Sequence, residues 1–73
     1  MHVIEVILAP TAHELSEVRF NGEAINRFYD RTAALAFAEH YAIALEQESG
    51  SKPFVSVCGI DGVWVAMAQM TSK

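Results

Sequence analysis

The stretch between Asp30 and Gly50 constrains the fold of this chain most. Residues 31–49 contain no Gly or Pro and include six alanines, which gives the segment a high helix propensity. The Asp30 carboxylate can accept a hydrogen bond from a free N–H of the first turn. Gly50 stands where helices commonly end in a left-handed residue. The sequence therefore predicts a helix over Arg31–Ser49, around which the rest of the chain must pack.

The predicted helix is two-sided, since each residue advances about 100° around its axis. Its apolar face carries Ala34, Phe37, Ala38, Tyr41 and Leu45, with Leu35 and Ala42 at the edge. Its polar side carries Glu39, His40, Glu46 and Gln47. Ile43 falls among these polar residues, where an apolar side chain is out of place.

The N-terminal part of the chain predicts a three-stranded meander from about His2 to Tyr29. Its first segment, His2–Ala9, is rich in Val and Ile, which favour strands. Asn21-Gly22 is typical of a two-residue type I′ hairpin turn, because both central positions need a positive φ. The pairs that this loop implies are Phe20 with Glu23, Val18 with Ile25, and Leu15 with Phe28.

Asp61-Gly62 predicts a second hairpin of the same type, between strands Phe54–Ile60 and Val63–Met70. The implied pairs are Gly59 with Trp64, Cys58 with Val65, and Val57 with Ala66. In this register both faces of the hairpin are apolar. One face carries Val55, Val57, Trp64, Ala66, Ala68 and Met70. The other carries Phe54, Cys58, Ile60, Val63, Val65 and Met67.

These segments together predict one small α+β domain over residues 1–73, with the element order β-β-β-α-β-β. We expect an antiparallel sheet of about five strands with the helix packed on one face. A helix of this length spans about 28 Å and covers a single sheet face. The other face must therefore stay exposed, curl around the helix, or meet another chain.

The uncovered apolar surface predicts association with protein. Exposed apolar patches usually mark interaction sites, and small domains often gain stability by associating. The single cysteine, Cys58, cannot form an internal disulfide. We expect a protein partner and a homodimer; a sheet curled around the helix, exposing only scattered methyl groups, is the alternative. The candidate contact residues are Ile43, His40, Glu39, Trp64, Val65 and Met67.

No pattern in the sequence predicts a catalytic, cofactor or metal site. The three histidines are scattered and Cys58 has no ligand near it in sequence, whereas metal sites need clustered ligands. A catalytic nucleophile needs a base and an orienting group, and Cys58 is expected to be a small apolar residue within a strand. The glycines lack the spacing of nucleotide-binding loops. We expect a non-enzymatic protein without a cofactor.

The charge balance disfavours nucleic acid as a partner. Nine acidic and five basic residues give a formal net charge of −4, which a phosphate backbone would repel. Arg19, Arg27 and Arg31 could gather near one end of the fold, where we expect them to serve solubility. No apolar run reaches the ~18 residues of a membrane span. The lone thiol and the lack of an export signal favour the cytoplasm.

The predicted function is that of a non-enzymatic interaction module, a homo-oligomer that acts by occupying a surface of a partner protein. Two alternatives remain open. In length, acidity and strand-rich layout with one Ala-rich helix, the chain resembles small phage-encoded inhibitors of bacterial defence such as the anti-CRISPR proteins. That resemblance concerns general build and carries no shared motif. The other alternative is a ligand-sensing or accessory subunit of a bacterial complex, with a pocket near Phe37, Tyr41 and Trp64.

Overall fold

The computed structural model describes residues 2–67. Within them lie a five-stranded sheet and one helix, so the predicted α+β class and element order are confirmed. The elements are β1 (Val3–Ile7), β2 (Ser16–Phe20), β3 (Glu23–Phe28), α1 (Arg31–Ser49), β4 (Phe54–Cys58) and β5 (Trp64–Ala66). The last three residues of the predicted strand Val63–Met70, namely Ala68, Gln69 and Met70, lie outside the described residues.

Helix α1 begins and ends at the predicted residues. The Asp30 side chain accepts a hydrogen bond from the Thr32 N–H at 3.0 Å. At the other end Gly50 adopts a φ of 76° and its N–H donates to the Glu46 carbonyl. Both ends are therefore set by local chemistry that the sequence displays.

The sheet is mixed, which corrects the prediction of a purely antiparallel one. The strand order is β3-β2-β1-β4-β5, with β1 and β4 parallel and the other neighbours antiparallel. Because β2 is antiparallel to both β1 and β3, strands β1 and β3 run in the same direction. A helical crossover normally returns the chain in the direction of the preceding strand, so α1 delivers β4 parallel to β1.

The first hairpin has the predicted turn but not the whole predicted register. Asn21 and Gly22 have φ values of 50° and 88°, as a type I′ turn requires, and Phe20 pairs with Glu23. The register then shifts at a bulge between Val18 and Arg19. The resulting pairs are Val18 with Asn26 and Ser16 with Phe28, so the predicted partners Ile25 and Leu15 are wrong.

The second hairpin is closed by three residues rather than two. The Gly62 N–H donates to the Gly59 carbonyl and the Gly59 N–H donates to the Val63 carbonyl, both at 2.9 Å. Gly62 has a φ of 81°, the arrangement of a turn followed by one left-handed residue. The Asp61 carboxylate accepts a hydrogen bond from the Val63 N–H at 3.0 Å and so stabilises the longer loop.

The longer loop moves every pair of this hairpin by one residue. The observed pairs are Ser56 with Ala66, Val57 with Val65, and Cys58 with Trp64, so the predicted pairing of Trp64 with Gly59 is wrong. A slip of one residue transfers side chains to the opposite face. Val65 therefore lies on the helix side with Val57, while Trp64 and Ala66 lie on the other side.

The core lies between α1 and one face of the sheet. Its fully buried apolar residues are Ile4, Val6, Val18, Ala34, Ala38 and Val57. Helix α1 packs over β1, β2 and β3, and the predicted apolar face of the helix is confirmed. Aromatic rings fill this side, with centroid distances of 5.4 Å between Phe28 and Phe37 and 5.8 Å between Phe37 and Tyr41. Strands β4 and β5 lie beside the helix rather than beneath it.

One buried serine fastens the connection between β1 and β2. The Ser16 hydroxyl accepts a hydrogen bond from the Ala9 N–H at 2.9 Å, in a buried position. The Ala9 carbonyl accepts a second one from the Arg31 Nε at 2.8 Å. Since a buried backbone group needs a partner, these two side chains hold the end of β1 against the start of α1.

Candidate interaction surfaces

One face of the sheet is not covered by α1, and we call it the open face. Ile4 and Val6 of β1 are fully buried on the helix side. Side chains alternate along a strand, so Glu5 and Ile7 belong to the open face. The same alternation places the neighbours of buried Val57 there as well. The open face divides into a charged half on β1–β3 and an apolar half centred on β4 and β5.

The charged half consists of Glu5, Glu17, Arg19 and Arg27. Glu17 accepts hydrogen bonds from both arginines, through Oε2 from Arg19 Nε and through Oε1 from Arg27 Nε at 3.0 Å. Glu5 pairs with Arg19 across β1 and β2. The bulge in the first hairpin places Arg27 directly opposite Glu17. Two carboxylates and two guanidinium groups make this half formally neutral.

The ion pairs change the protonation equilibria of their members. The hydrogen bond from Arg19 lowers the pKa of Glu17, partial burial of the carboxyl opposes that change, and the hydrogen bond from Arg27 lowers it further. In turn Glu17 raises the pKa of Arg19 by the same hydrogen bond, and its negative charge acts in the same direction. Glu17 is therefore held in its charged form.

The apolar half consists of Ile7, Phe54, Cys58, Trp64 and Ala66. Phe54 and Trp64 are 54% and 47% exposed. A shallow depression of about 420 Å³ lies between them. Its lining residues are Glu5, Phe54, Ser56, Trp64, Val65 and Ala66. This half presents aromatic surface to solvent at one end of the sheet.

A second feature, which we call the groove, runs between α1 and the β4–β5 hairpin. Its volume is about 510 Å³. The helix contributes Glu39, Ala42, Ile43 and Glu46. The other wall is formed by Lys52, Pro53, Phe54, Val55, Ala66 and Met67. Phe54 and Ala66 border both the groove and the depression, whereas Ile43 belongs to the groove and Trp64 to the depression.

The groove exists because α1 carries large side chains on the side toward β2 and β3 and a small one on the side toward β4. Phe37 and Tyr41 fill the space above β2 and β3, where Tyr41 packs edge-on against Phe20 at a centroid distance of 5.5 Å. Toward β4 the helix presents the small residue Ala42. The large rings thus bring α1 over the first hairpin and leave a gap beside the second.

The structure divides the six predicted contact residues among different places. Glu39, Ile43 and Met67 line the groove, and Trp64 borders the depression. Val65 packs against the core and also borders the depression. His40 is exposed on α1 and lines neither feature.

Sequence reasoning missed the residues that join these surfaces. The sequence predicts Phe54 on a strand face but not on a contact surface, and it gives Lys52 no role. Glu46 was read as part of a solvated helix side. The one signal in the sequence was Ile43, whose apolar side chain among polar neighbours marks the groove side of the helix.

The structure also places the other residues that the sequence analysis considered for chemistry or binding, namely Cys58, the three aromatic residues of the expected pocket and the three arginines. Cys58 lies on the open face, where its thiol is 3.8 Å from the Gly59 carbonyl, whereas His40 lies on the solvent side of α1. The pocket predicted near Phe37, Tyr41 and Trp64 is not formed by these residues, because the first two stack on each other and Trp64 is on the opposite side of the sheet. Of the three arginines, Arg19 and Arg27 both form ion pairs with Glu17, whereas Arg31 donates a hydrogen bond to the Ala9 carbonyl.

Two kinds of feature are absent from residues 2–67. Within them, no three His, Cys, Asp or Glu side chains lie close enough together to hold a metal ion. No helix in that part of the chain combines the length and the apolarity that crossing a bilayer needs.

Comparison with protein-family models, with curated proteins and with solved structures finds no match to this chain.

Proposed function

We propose that this chain is a non-enzymatic protein-interaction module that forms a homodimer through the apolar half of its open face. One observation carries the proposal, namely the exposure of Phe54 and Trp64 on the same uncovered sheet face, where both border one shallow depression. Aromatic residues are enriched at protein interfaces, and Trp is among the residues whose truncation most often weakens binding strongly. Removing apolar surface of this kind from water contributes about 25 cal/mol of favourable free energy per Å².

The charge distribution favours a second copy as the occupant of the open face. The whole chain carries a formal charge of −4, which opposes self-association. The open face contributes none of it, since Glu5 and Glu17 are balanced by Arg19 and Arg27. A two-fold contact places the same patch on both sides of the interface. Two copies can therefore meet through an apolar and formally neutral face while their excess negative charge stays outside.

The test is the solution mass by light scattering over a wide range of protein concentration. We expect the wild type to show twice the mass of one chain, and Trp64→Ser to show the mass of one chain at the same concentrations. Tyr29→Ser is the matched control, because Tyr29 is 69% exposed and follows β3 at the opposite edge of the sheet. That variant should remain dimeric.

Two results would contradict the proposal. One is a wild type that stays monomeric at every concentration. The other is a wild-type dimer that Trp64→Ser leaves intact, which would place the contact on another surface. Far-UV circular dichroism of both variants checks that they keep the fold.

A further inference from the structure

The groove has the form of a binding site for an apolar side chain. Its volume of about 510 Å³ lies within the range of ligand-binding clefts, about 300–1,000 Å³. Ala42, Val55 and Met67 contribute apolar surface to it. Ile43 on the helix wall is 48% exposed, and Phe54 stands on the other wall. An apolar group entering the groove would therefore bury side chains from both walls.

The helix wall adds two negative charges above this apolar surface. Glu39, Ile43 and Glu46 are spaced four and three residues apart, so they form one stripe along the helix. The two carboxylates are separated by seven residues, about 10 Å along the axis. Among residues 2–67, the ion pairs within 4.0 Å are those of Glu17, so neither stripe glutamate is neutralised there. Among the described residues of the lining, Lys52 is the one basic side chain.

We infer that the groove binds a basic amphipathic segment of another protein. The segment would place an apolar side chain against Ile43 and two Lys or Arg side chains, about 10 Å apart, against Glu39 and Glu46. This inference rests on the proposed function, because it names the partner of the same interaction module. It uses the groove rather than the open face, with Phe54 and Ala66 bordering both surfaces.

Charge argues against a second copy in the groove. Helix α1 carries three glutamates and one arginine, a formal charge of −2, and the chain as a whole carries −4. A second copy would bring more negative charge to a wall that already has two unpaired carboxylates. A basic segment removes that repulsion and replaces it with attraction.

The test measures binding of a defined peptide to the full ¹⁵N-labelled chain by NMR chemical shifts. The probe is an acetylated and amidated helical peptide, rich in alanine and glutamine, with two lysines seven positions apart and two leucines between them. Two comparison peptides carry glutamate in place of the lysines or serine in place of the leucines. We expect the first peptide to shift the amide signals of Ala42, Ile43 and Val55, and the comparison peptides to bind at least about tenfold more weakly.

Two variants of the protein test the same contacts from the other side. Glu39→Gln with Glu46→Gln should weaken the lysine peptide about tenfold, since it removes two exposed ion pairs. Its matched control is Glu14→Gln with Glu48→Gln, which removes the same charge outside the groove and should leave the dissociation constant unchanged. Ile43→Ser should also weaken binding about tenfold, whereas Ile60→Ser, in the exposed hairpin loop, should not.

Several results would overturn the inference. They are the absence of binding at millimolar peptide, equal binding of all three peptides, shifts confined to the open face, or concentration-dependent shifts at Ile43 without peptide, which would reveal a second copy. Equal affinity for spermidine would assign the groove to a small polyamine instead. Trp64→Ser separates this inference from the homodimer, because that variant should lose the dimeric mass and keep peptide binding.

Discussion

The two hairpins of this sheet have similar turns but carry different side chains on the open face. Each joins two antiparallel strands through a turn that contains Gly after Asn or Asp. The β2–β3 hairpin lies under α1 and its rings, and its open face carries an ion-pair cluster. The β4–β5 hairpin lies beside the helix, and its open face carries exposed aromatic side chains. The first hairpin thus carries the aromatic packing beneath α1, and the second borders both candidate interaction surfaces.

The two edges of the sheet differ in the same way. Strand β3 carries Glu23 and Arg27 along its exposed length, and charges on an edge strand discourage pairing with other chains. Strand β5 has the sequence Trp-Val-Ala and no charged residue. The β3 edge therefore carries charged side chains, whereas the β5 edge is apolar. The proposed contacts lie on the β5 side.

The largest expected effect concerns the packing under α1. Phe37→Ala removes ring contacts with Phe28 and Tyr41 and should lower the free energy of unfolding by about 3 kcal/mol. Trp64→Ala, on the second hairpin, should change it by less than about 1 kcal/mol. Urea unfolding followed by circular dichroism, at concentrations where both variants are monomeric, measures the difference. Equal losses would show that the exposed ring of Trp64 stabilises the fold as much as the rings packed under α1.

An intermediate effect is expected from the buried hydroxyl of the first hairpin. Ser16→Ala leaves the buried Ala9 N–H without the partner it has in the wild type and should lower the free energy of unfolding by about 1–3 kcal/mol. Ser56→Ala, on the open face of β4, should cost less than about 0.5 kcal/mol. The same urea titration measures both. A Ser16→Ala variant as stable as the wild type would mean that water replaces the hydroxyl.

The smallest expected effect concerns the charged half of the open face. Because the pKa of Glu17 is lowered in the folded state, its ionised form stabilises the fold at pH values above the pKa of the unfolded chain. That contribution is lost as the pH falls through the folded-state pKa. Glu17→Gln should therefore melt a few degrees below the wild type at neutral pH, and the two melting temperatures should converge in acid.

Thermal melts from neutral to acid pH measure this convergence. Glu48→Gln, on the exposed side of α1, serves as a control for removal of one negative charge. A constant difference between Glu17→Gln and the wild type at every pH would mean that the ion pairs with Arg19 and Arg27 do not stabilise the fold.

The candidate surfaces were only partly predictable. Ile43, Glu39 and Met67 were predicted as contact residues and do lie together in the groove. The sequence could not place them opposite Phe54 and Val55, because that depends on where α1 settles across the sheet. Glu17 and Arg27 come together only through the bulge between Val18 and Arg19. The alternation of residues in β2 and β3 does not reveal that bulge.

The sequence by itself determined the features that depend on neighbouring residues. Asp30 and Gly50 fixed the ends of α1, and Asn21-Gly22 fixed the first turn, because caps and tight turns require specific side chains or a positive φ at specific positions. The Val- and Ile-rich first segment and the two turn signals predicted the strands, and their number and order with the helix predicted the α+β class.

Only the tertiary structure decided the pairings and the faces. Asp61-Gly62 marks a turn, yet it is compatible with a loop of two or three residues. That single residue decides whether Trp64 or Val65 faces the helix, because a slip of one residue moves side chains to the other face. The parallel pairing of β1 with β4 joins segments about fifty residues apart, so no local pattern records it. The helix lies over the first hairpin because its large rings pack there, and the surfaces left open beside β4 and β5 follow from that placement.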